Sequence, residues 1–326
     1  MIARWIIGMV IGTVVMMVLA NYTMPTYVPR IARGPVWVWK PGADYRHVSE
    51  GYAVTHLGPL GMPGLGSDAG VKELESMWSG KQRIALWGDS QAEGLCVRDE
   101  DKVFAIAERF DTSNAYLPLA RSGDGLVDWT SQFAWVEENL DIDRHVILLV
   151  ELSDLTIGQP SGPPSAARQW IAEHVPSLFI HCARRMLQTP DGESRRLRWQ
   201  VGPTNVSNNE KASPNTGPLD LDREFFDRAA SMIRAATQLP VRIVYAPRVG
   251  IVLGGKLMLE DRQPRAYRRM ANAMRRHGIE VVSVVDELAE IASEGQPPFG
   301  FEHGRIGSGH LNEHGNRIVA AAVAGL

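Results

Sequence analysis

An alternation that begins after Lys81 constrains this chain more than any other feature. Short apolar runs at 83–87, 115–119, 145–151, 241–246 and 279–285 are separated by segments of helical periodicity at 93–110, 126–140, 221–238 and 265–277. A last helix is expected after Glu313. Apolar runs of this length are buried on both faces, which requires helices above and below them. The pattern predicts an α/β fold, a three-layer αβα sandwich built on a parallel sheet of five strands. In open sheets of this kind, ligand sites lie beyond the carboxyl ends of the strands.

The amino-terminal residues are of a different kind. Residues 5–20 form an uncharged run of sixteen residues, which covers about 24 Å as a helix. Extension through Tyr22, Thr23, Met24 and Pro25 brings it to the length that a bilayer requires. A secretory signal is the rival reading, because Val18-Leu19-Ala20 fits the small-residue cleavage rule. Continuation into an aromatic belt at Tyr22, Tyr27, Trp37 and Trp39 favours an uncleaved anchor. Arg4 on one side stands against Arg30, Arg33 and Lys40 on the other, so charge does not orient it. Gly8 and Gly12 form a G-x-x-x-G face that suits helix packing in lipid.

The remaining boundaries follow from composition. Residues 1–25 are the anchor or signal, and 26–80 read as a Pro- and Gly-rich linker with a small β element at 36–39 and 52–54. Residues 81–326 are the main domain, interrupted at 156–218 by an insertion too long for a plain connection. Its first half, 165–187, reads as a helix pair broken at Pro176, and 190–218 as a polar loop. Gly64-Leu65-Gly66 followed by Gly70 imitates a dinucleotide fingerprint, but a Gly/Pro loop precedes it where a buried strand is needed, so nicotinamide binding is rejected. Two cysteines, Cys96 and Cys182, exclude a disulfide-stapled scaffold. A net charge of -3 gives no case for nucleic acid.

The chemistry gathers at two distant places. The run 83–87 leads into Gly88-Asp89-Ser90 and then a helix, which sets Ser90 at a strand's carboxyl end with backbone N–H groups behind it. A serine nucleophile needs a base, and Ser308-Gly309-His310-Leu311-Asn312 offers His310 before the last helix. Together these blocks resemble the SGNH (GDSL-type) hydrolase superfamily, in particular its membrane-linked branch of polysaccharide O-acetylation and esterase proteins. The resemblance runs from the strand before Gly88 to the carboxyl terminus, with the insertion unmatched. It implies a flavodoxin-like SGNH hydrolase fold, Ser90 as nucleophile, His310 as base, and an oxyanion hole of the Ser90 and Gly123 N–H groups and the Ser153 side chain.

Two positions depart from the family pattern. Ser153-Asp154 stands where Asn-Asp is usual, and a hydroxyl reaches less far than an amide. Ser308 and Gly307 stand where an acidic residue commonly precedes the His, so the orienting partner of His310 is expected to be a backbone carbonyl, or Glu302 or Glu313 in place of that carboxylate. Asp89, Asp154 and Ser308 are candidate supporting groups. His310-Leu311-Asn312-Glu313-His314 also matches an inverted zinc-protease pattern, but no Asp, Glu, His or Cys follows His314 as a further ligand, so no metal is assigned and His314 is expected on a helix surface.

Arginines at 262, 265, 268, 269, 275 and 276, and at 195, 196 and 198, read first as solvated faces and second as contacts for anionic glycan or lipid. Trp129, Trp135 and Trp170 read as core or as sugar-stacking groups. The resemblance thus implies an extracytoplasmic acyl-ester hydrolase or O-acyltransferase on the inner (plasma) membrane, facing the periplasm. Its expected partners are an acylated carbohydrate or polysaccharide and the lipid bilayer, with no cofactor. The alternative is a catalytically silent, glycan-binding or structural subunit beside an integral-membrane acyltransferase.

Overall fold

The computed structural model of the chain describes residues 2–23, 28, 30–33, 36–65, 75–76, 78–158, 165–176, 179–180, 221–253, 256–257, 263–302 and 306–326. Helix α1 (Ile2–Thr23) contains the apolar stretch Ile2–Ala20, of mean hydropathy 2.2, which is long and apolar enough to cross a membrane. What reads as a linker with a small β element is two antiparallel hairpins. Strand β1 (Arg30–Arg33) pairs with β2 (Val36–Trp39), and β3 (Asp44–His47) pairs with β4 (Ala53–His56).

The alternation after Lys81 forms one sheet. Strands β5 (Gln82–Trp87), β6 (Asn114–Pro118), β7 (Arg144–Leu149), β8 (Val241–Tyr245) and β9 (Glu280–Ser283) are parallel, in the order β9-β8-β7-β5-β6. The first strand of the sheet therefore lies between the second and the third, and β5/β7 is the switch point at which a flavodoxin-like sheet opens a crevice.

The helices divide between the two faces. Residues of α4 (Leu126–Leu140), α6 (Arg223–Ala236) and α7 (Pro264–Arg276) share a core with Ala85 and Trp87 of β5. Residues of α3 (Val103–Phe110), α8 (Val285–Ser293) and α9 (Glu313–Ala324) share the other core with Ile84 and Leu86. Successive side chains of a strand point to opposite faces, so β5 serves both cores. Helix α5 (Ala166–His174) matches the first half of the expected helix pair. The polar second half of the insertion, Cys182, and Arg195, Arg196, Arg198 and Arg262 lie outside the described residues.

Two expectations, one of a helix and one of a strand, are corrected. Residues 93–110 are not one helix: α2 (Ser90–Glu93) ends at Gly94, a 3-10 turn covers Asp99–Asp101, and α3 follows. The break makes room for Lys102, which is buried and donates from Nζ to the Val97 carbonyl at 3.1 Å, to Thr55 Oγ1 at 3.0 Å and to the Gly94 carbonyl. An ammonium can be buried because these acceptors replace water, although desolvation still lowers its pKa. The apolar run at 279–285 ends as a strand at Ser283, and α8 begins at Val285. The Asp-Glu-Leu-Ala-Glu stretch that follows is rich in strong helix formers.

Lys102 also fastens the second hairpin to the main domain, since Thr55 lies in β4. Beside it, Asp99 accepts the His56 backbone N–H at 3.1 Å and pairs with His56 Nδ1 at 2.7 Å.

Candidate active site

Strand β5 delivers Ser90 to the carboxyl edge of the sheet through Gly88 and Asp89. Gly88 has φ 153°, and a Cβ there would lie 2.6 Å from the Ala92 Cβ and 3.0 Å from the Leu148 carbonyl, so only glycine allows so tight a turn. Asp89 caps α2 by accepting the Gln91 N–H at 2.9 Å, which leaves the Ser90 side chain free of capping work. Burial raises the Asp89 pKa.

The loop before α9 brings His310 to this serine. Asn312 is buried, accepts the His314 and Gly315 N–H groups at 3.0 and 3.2 Å, and donates to the Pro297 and Gly300 carbonyls at 2.7 and 2.9 Å. Gln91 ties the same loop to α2, accepting the Leu311 N–H at 2.8 Å and donating to the Gly309 carbonyl at 3.3 Å. The outcome is a hydrogen bond of 2.8 Å between Ser90 Oγ and His310 Nε2.

The carboxylate behind His310 is Glu50, at the turn of the β3–β4 hairpin. His310 Nδ1 is hydrogen-bonded to Glu50 Oε1, and the His310 backbone N–H donates to Glu50 Oε2 at 3.3 Å. The hydrogen bond from His310 holds the Glu50 carboxyl below the usual carboxylate range, against the opposing effect of burial. An ionised Glu50 can only accept, which puts a proton on Nδ1 and leaves Nε2 to accept from Ser90. Neither Glu302, which is exposed, nor Glu313, whose carboxylate pairs with His314 at 3.8 Å, is the partner of His310, which corrects the expectation of a nearby substitute.

Gly309 makes this contact possible. A Cβ on it would lie 2.0 Å from Glu50 Oε2, and its φ of 91° is one that L side chains rarely adopt. Beside the pair sits His47, whose pKa is lowered by burial and then by His310.

The residues assigned to the oxyanion hole behave differently from one another. The backbone N–H groups of Ser90 and Gly123 have no acceptor among the described residues, and nothing lies within 4 Å of the position of a Gly123 Cβ. One such donor on the nucleophile itself, and a second on the loop that the Arg121 N–H ties to the Gly88 carbonyl at 3.4 Å, suit a developing oxyanion. The Ser153 hydroxyl instead donates to Glu151 Oε2, at 3.5 Å. Glu151 pairs with Arg248 at 3.0 Å, and Arg248 reaches the Gly309 carbonyl at 3.4 Å from both Nε and Nη2. The Asp154 carboxyl is pushed up to about 8 by burial, then by Asp89 and Glu151. Ser308 is half-buried and makes no hydrogen bond among the described residues.

The other residues singled out from the sequence have structural surroundings. Trp129 is buried and donates to the Gly88 carbonyl at 3.1 Å, so it buttresses the turn before Ser90. Trp135 packs against the core, and Trp170 is exposed on α5. Of the α7 arginines, Arg269 donates to the Leu221 carbonyl at 3.2 Å and Arg276 pairs with Asp227 at 2.5 Å.

Glu50 has no local signature. The alternation at 52–54 signals a strand, and an acidic residue two positions before it is an ordinary turn residue. Only the docking of the hairpin joins it to His310.

No family model matches the chain, and no curated protein matches it. Solved structures do. An α/β hydrolase enzyme, LAE5, from the metagenome of Lake Arreo, Spain, is 14% identical over 76% of this chain and 98% of its own, with a TM-score of 0.41. The lipase/acylhydrolase from Enterococcus faecalis is 13% identical over 74% and 93%, with a TM-score of 0.40. The acetyl xylan esterase AlAXEase is 13% identical over 74% and 97%, also with a TM-score of 0.40. The order of blocks that carries the sequence resemblance is kept in the structure, with Ser90 after β5, Gly123 after β6 and His310 before α9.

Proposed function

We propose that the chain is a serine acyl-ester hydrolase or O-acyltransferase whose substrate is an acylated carbohydrate. The observation that carries this reading is the continuous hydrogen-bonded series Ser90, His310, Glu50. Ser90 attacks the acyl carbonyl as His310 Nε2 takes its proton, Glu50 stabilises the imidazolium, and the Ser90 and Gly123 N–H groups receive the oxyanion. His310 then returns the proton to the leaving alkoxide. Water or a second sugar hydroxyl, deprotonated by the same imidazole, releases the acyl group.

The assembled series favours this reading over a silent binding subunit, which has no use for an oriented imidazole beside a serine. The SGNH resemblance supports a glycan substrate and an extracytoplasmic site, and α1 supports attachment to a membrane. Peptide mapping of the purified chain after treatment with a fluorophosphonate tests the chemistry. Labelling confined to Ser90 and lost in His310→Ala is the expected result, and a folded chain without labelling overturns the reading. Acetylated oligosaccharide offered with and without an unacetylated acceptor separates transfer from hydrolysis.

A further inference from the structure

Glu93, the last residue of α2, has none of its surface exposed (0%), yet its carboxylate is fully engaged. Oε1 accepts the Trp39 indole N–H at 2.6 Å. Oε2 accepts the Ser122 backbone N–H at 2.9 Å and the Ser122 hydroxyl. Charge-assisted hydrogen bonds of this kind offset the cost of burying a carboxylate, and each also fixes the direction of its donor.

Those donors come from two functional places. Ser122 immediately precedes Gly123, whose N–H, like that of Ser90, has no acceptor among the described residues. Among the described residues, nothing lies within 4 Å of the position of a Gly123 Cβ. A turn closed by the Asp124 N–H on the Arg121 carbonyl at 3.0 Å carries the chain through Ser122 and Gly123, and Glu93 grips Ser122 within it at both its backbone and its hydroxyl. Trp39 lies in β2, in the same amino-terminal stretch that supplies Glu50 from the next hairpin.

We propose that Glu93 is the positioning residue of the oxyanion hole and that Trp39 holds it in place, so that docking of the amino-terminal hairpins sets both halves of the catalytic apparatus. Glu50 orients the base, and Trp39 acts through Glu93 and Ser122 on the oxyanion donor. The inference rests on the serine-ester reading above. A merely structural tie predicts lost stability, whereas this arrangement predicts lost transition-state stabilisation with substrate binding preserved.

The experiment uses the full chain in detergent, with p-nitrophenyl acetate as substrate. Trp39→Phe removes one N–H and keeps the aromatic ring, while Ser122→Ala removes one hydroxyl and keeps the backbone N–H. Each is expected to lower kcat by roughly 10–100-fold, the scale of a small misplacement of catalytic groups. KM should stay within about twofold, because the ground state does not use the oxyanion donors. Fluorophosphonate labelling should slow in parallel, and the pH at half-maximal kcat should not move, since Glu50 and His310 are untouched. An active wild type whose folded Trp39→Phe and Ser122→Ala variants keep their kcat overturns this inference alone, as does a change confined to KM. Should Trp39→Phe fail to fold, Ser122→Ala decides by the same criteria. A wild type that neither cleaves the ester nor labels at Ser90 overturns the ester reading and this inference with it.

Discussion

The Glu50 carboxylate and His310 are 260 positions apart in the chain, and the ring Nδ1 and the backbone N–H of that one histidine both bond to the carboxylate. The double attachment fixes the ring tautomer and the path of the loop together. A glutamine in place of Glu50 can still accept, but it cannot stabilise the imidazolium that forms when Ser90 loses its proton. Glu50→Gln is expected to reduce kcat by about 10²–10⁴-fold with the fold intact, the scale on which loss of the triad carboxylate's charge is felt elsewhere. Ester hydrolysis alongside circular dichroism checks this. Activity within about threefold of wild type would remove Glu50 from the mechanism.

Gly309 and Glu50 occupy adjoining space, so the same interaction can be broken from the other side. Gly309→Ala would force a methyl group against the carboxylate and strain a left-handed backbone, at a cost of roughly 1–3 kcal/mol. Activity is expected to fall nearly as far as in Glu50→Gln, and the double variant should lose little more than Glu50→Gln alone, because both changes remove one contact. Independent, multiplicative losses in kcat would mean that Gly309 acts elsewhere.

Ser90 and His310 were legible because each lies in a short local pattern, a strand end running into Gly-Asp-Ser and a His-Leu-Asn before a terminal helix. The five strands were legible for a similar reason, since burial on both faces leaves continuous apolar runs. Glu50 was not, because its role comes from tertiary docking and its neighbours resemble those of any turn. Helix α8 was hidden by the apolar run at 279–285, whose last residue, Val285, serves as the helix start. The break between α2 and α3 came from Lys102, whose buried ammonium needs the Gly94 and Val97 carbonyls that a continuous helix would have used.

The hairpin that carries Glu50 has a contact that titrates. Asp99 raises the pKa of His56, with Asp44 adding to the effect and Lys102 opposing it. A raised imidazole contributes stability fully below its ordinary value of 6.5 and loses it as pH rises through the folded value. The pair is solvent-exposed on the His56 side, so the effect is small. Hydrogen exchange in a peptide covering residues 44–57, corrected for intrinsic rates, should show a less protected hairpin at about pH 8 than at about pH 6. His56→Gln should flatten that difference. An unchanged difference would assign the pH response to another group.

Asp154 gives the opposite sign of pH dependence from an ordinary surface carboxylate. Its pKa stands at about 8, raised by burial, then by Asp89 and Glu151, against a backbone hydrogen bond from Glu151 and the charge of Arg248. Between its ordinary value of 3.8 and the folded value, the unfolded chain gives up this proton while the folded chain keeps it. Folding is therefore penalised progressively across that interval, and the penalty is complete above it. Asp154→Asn keeps the shape and has no proton to lose. The Tm of the variant relative to wild type should rise from about pH 4 to about pH 8 and then level off. Differential scanning calorimetry at pH steps reads this directly. An offset in Tm that stays constant over the range would mean that Asp154 ionises as freely in the folded protein as in the unfolded chain, and that its neighbours Asp89 and Glu151 do not share the charge of this edge of the sheet with it.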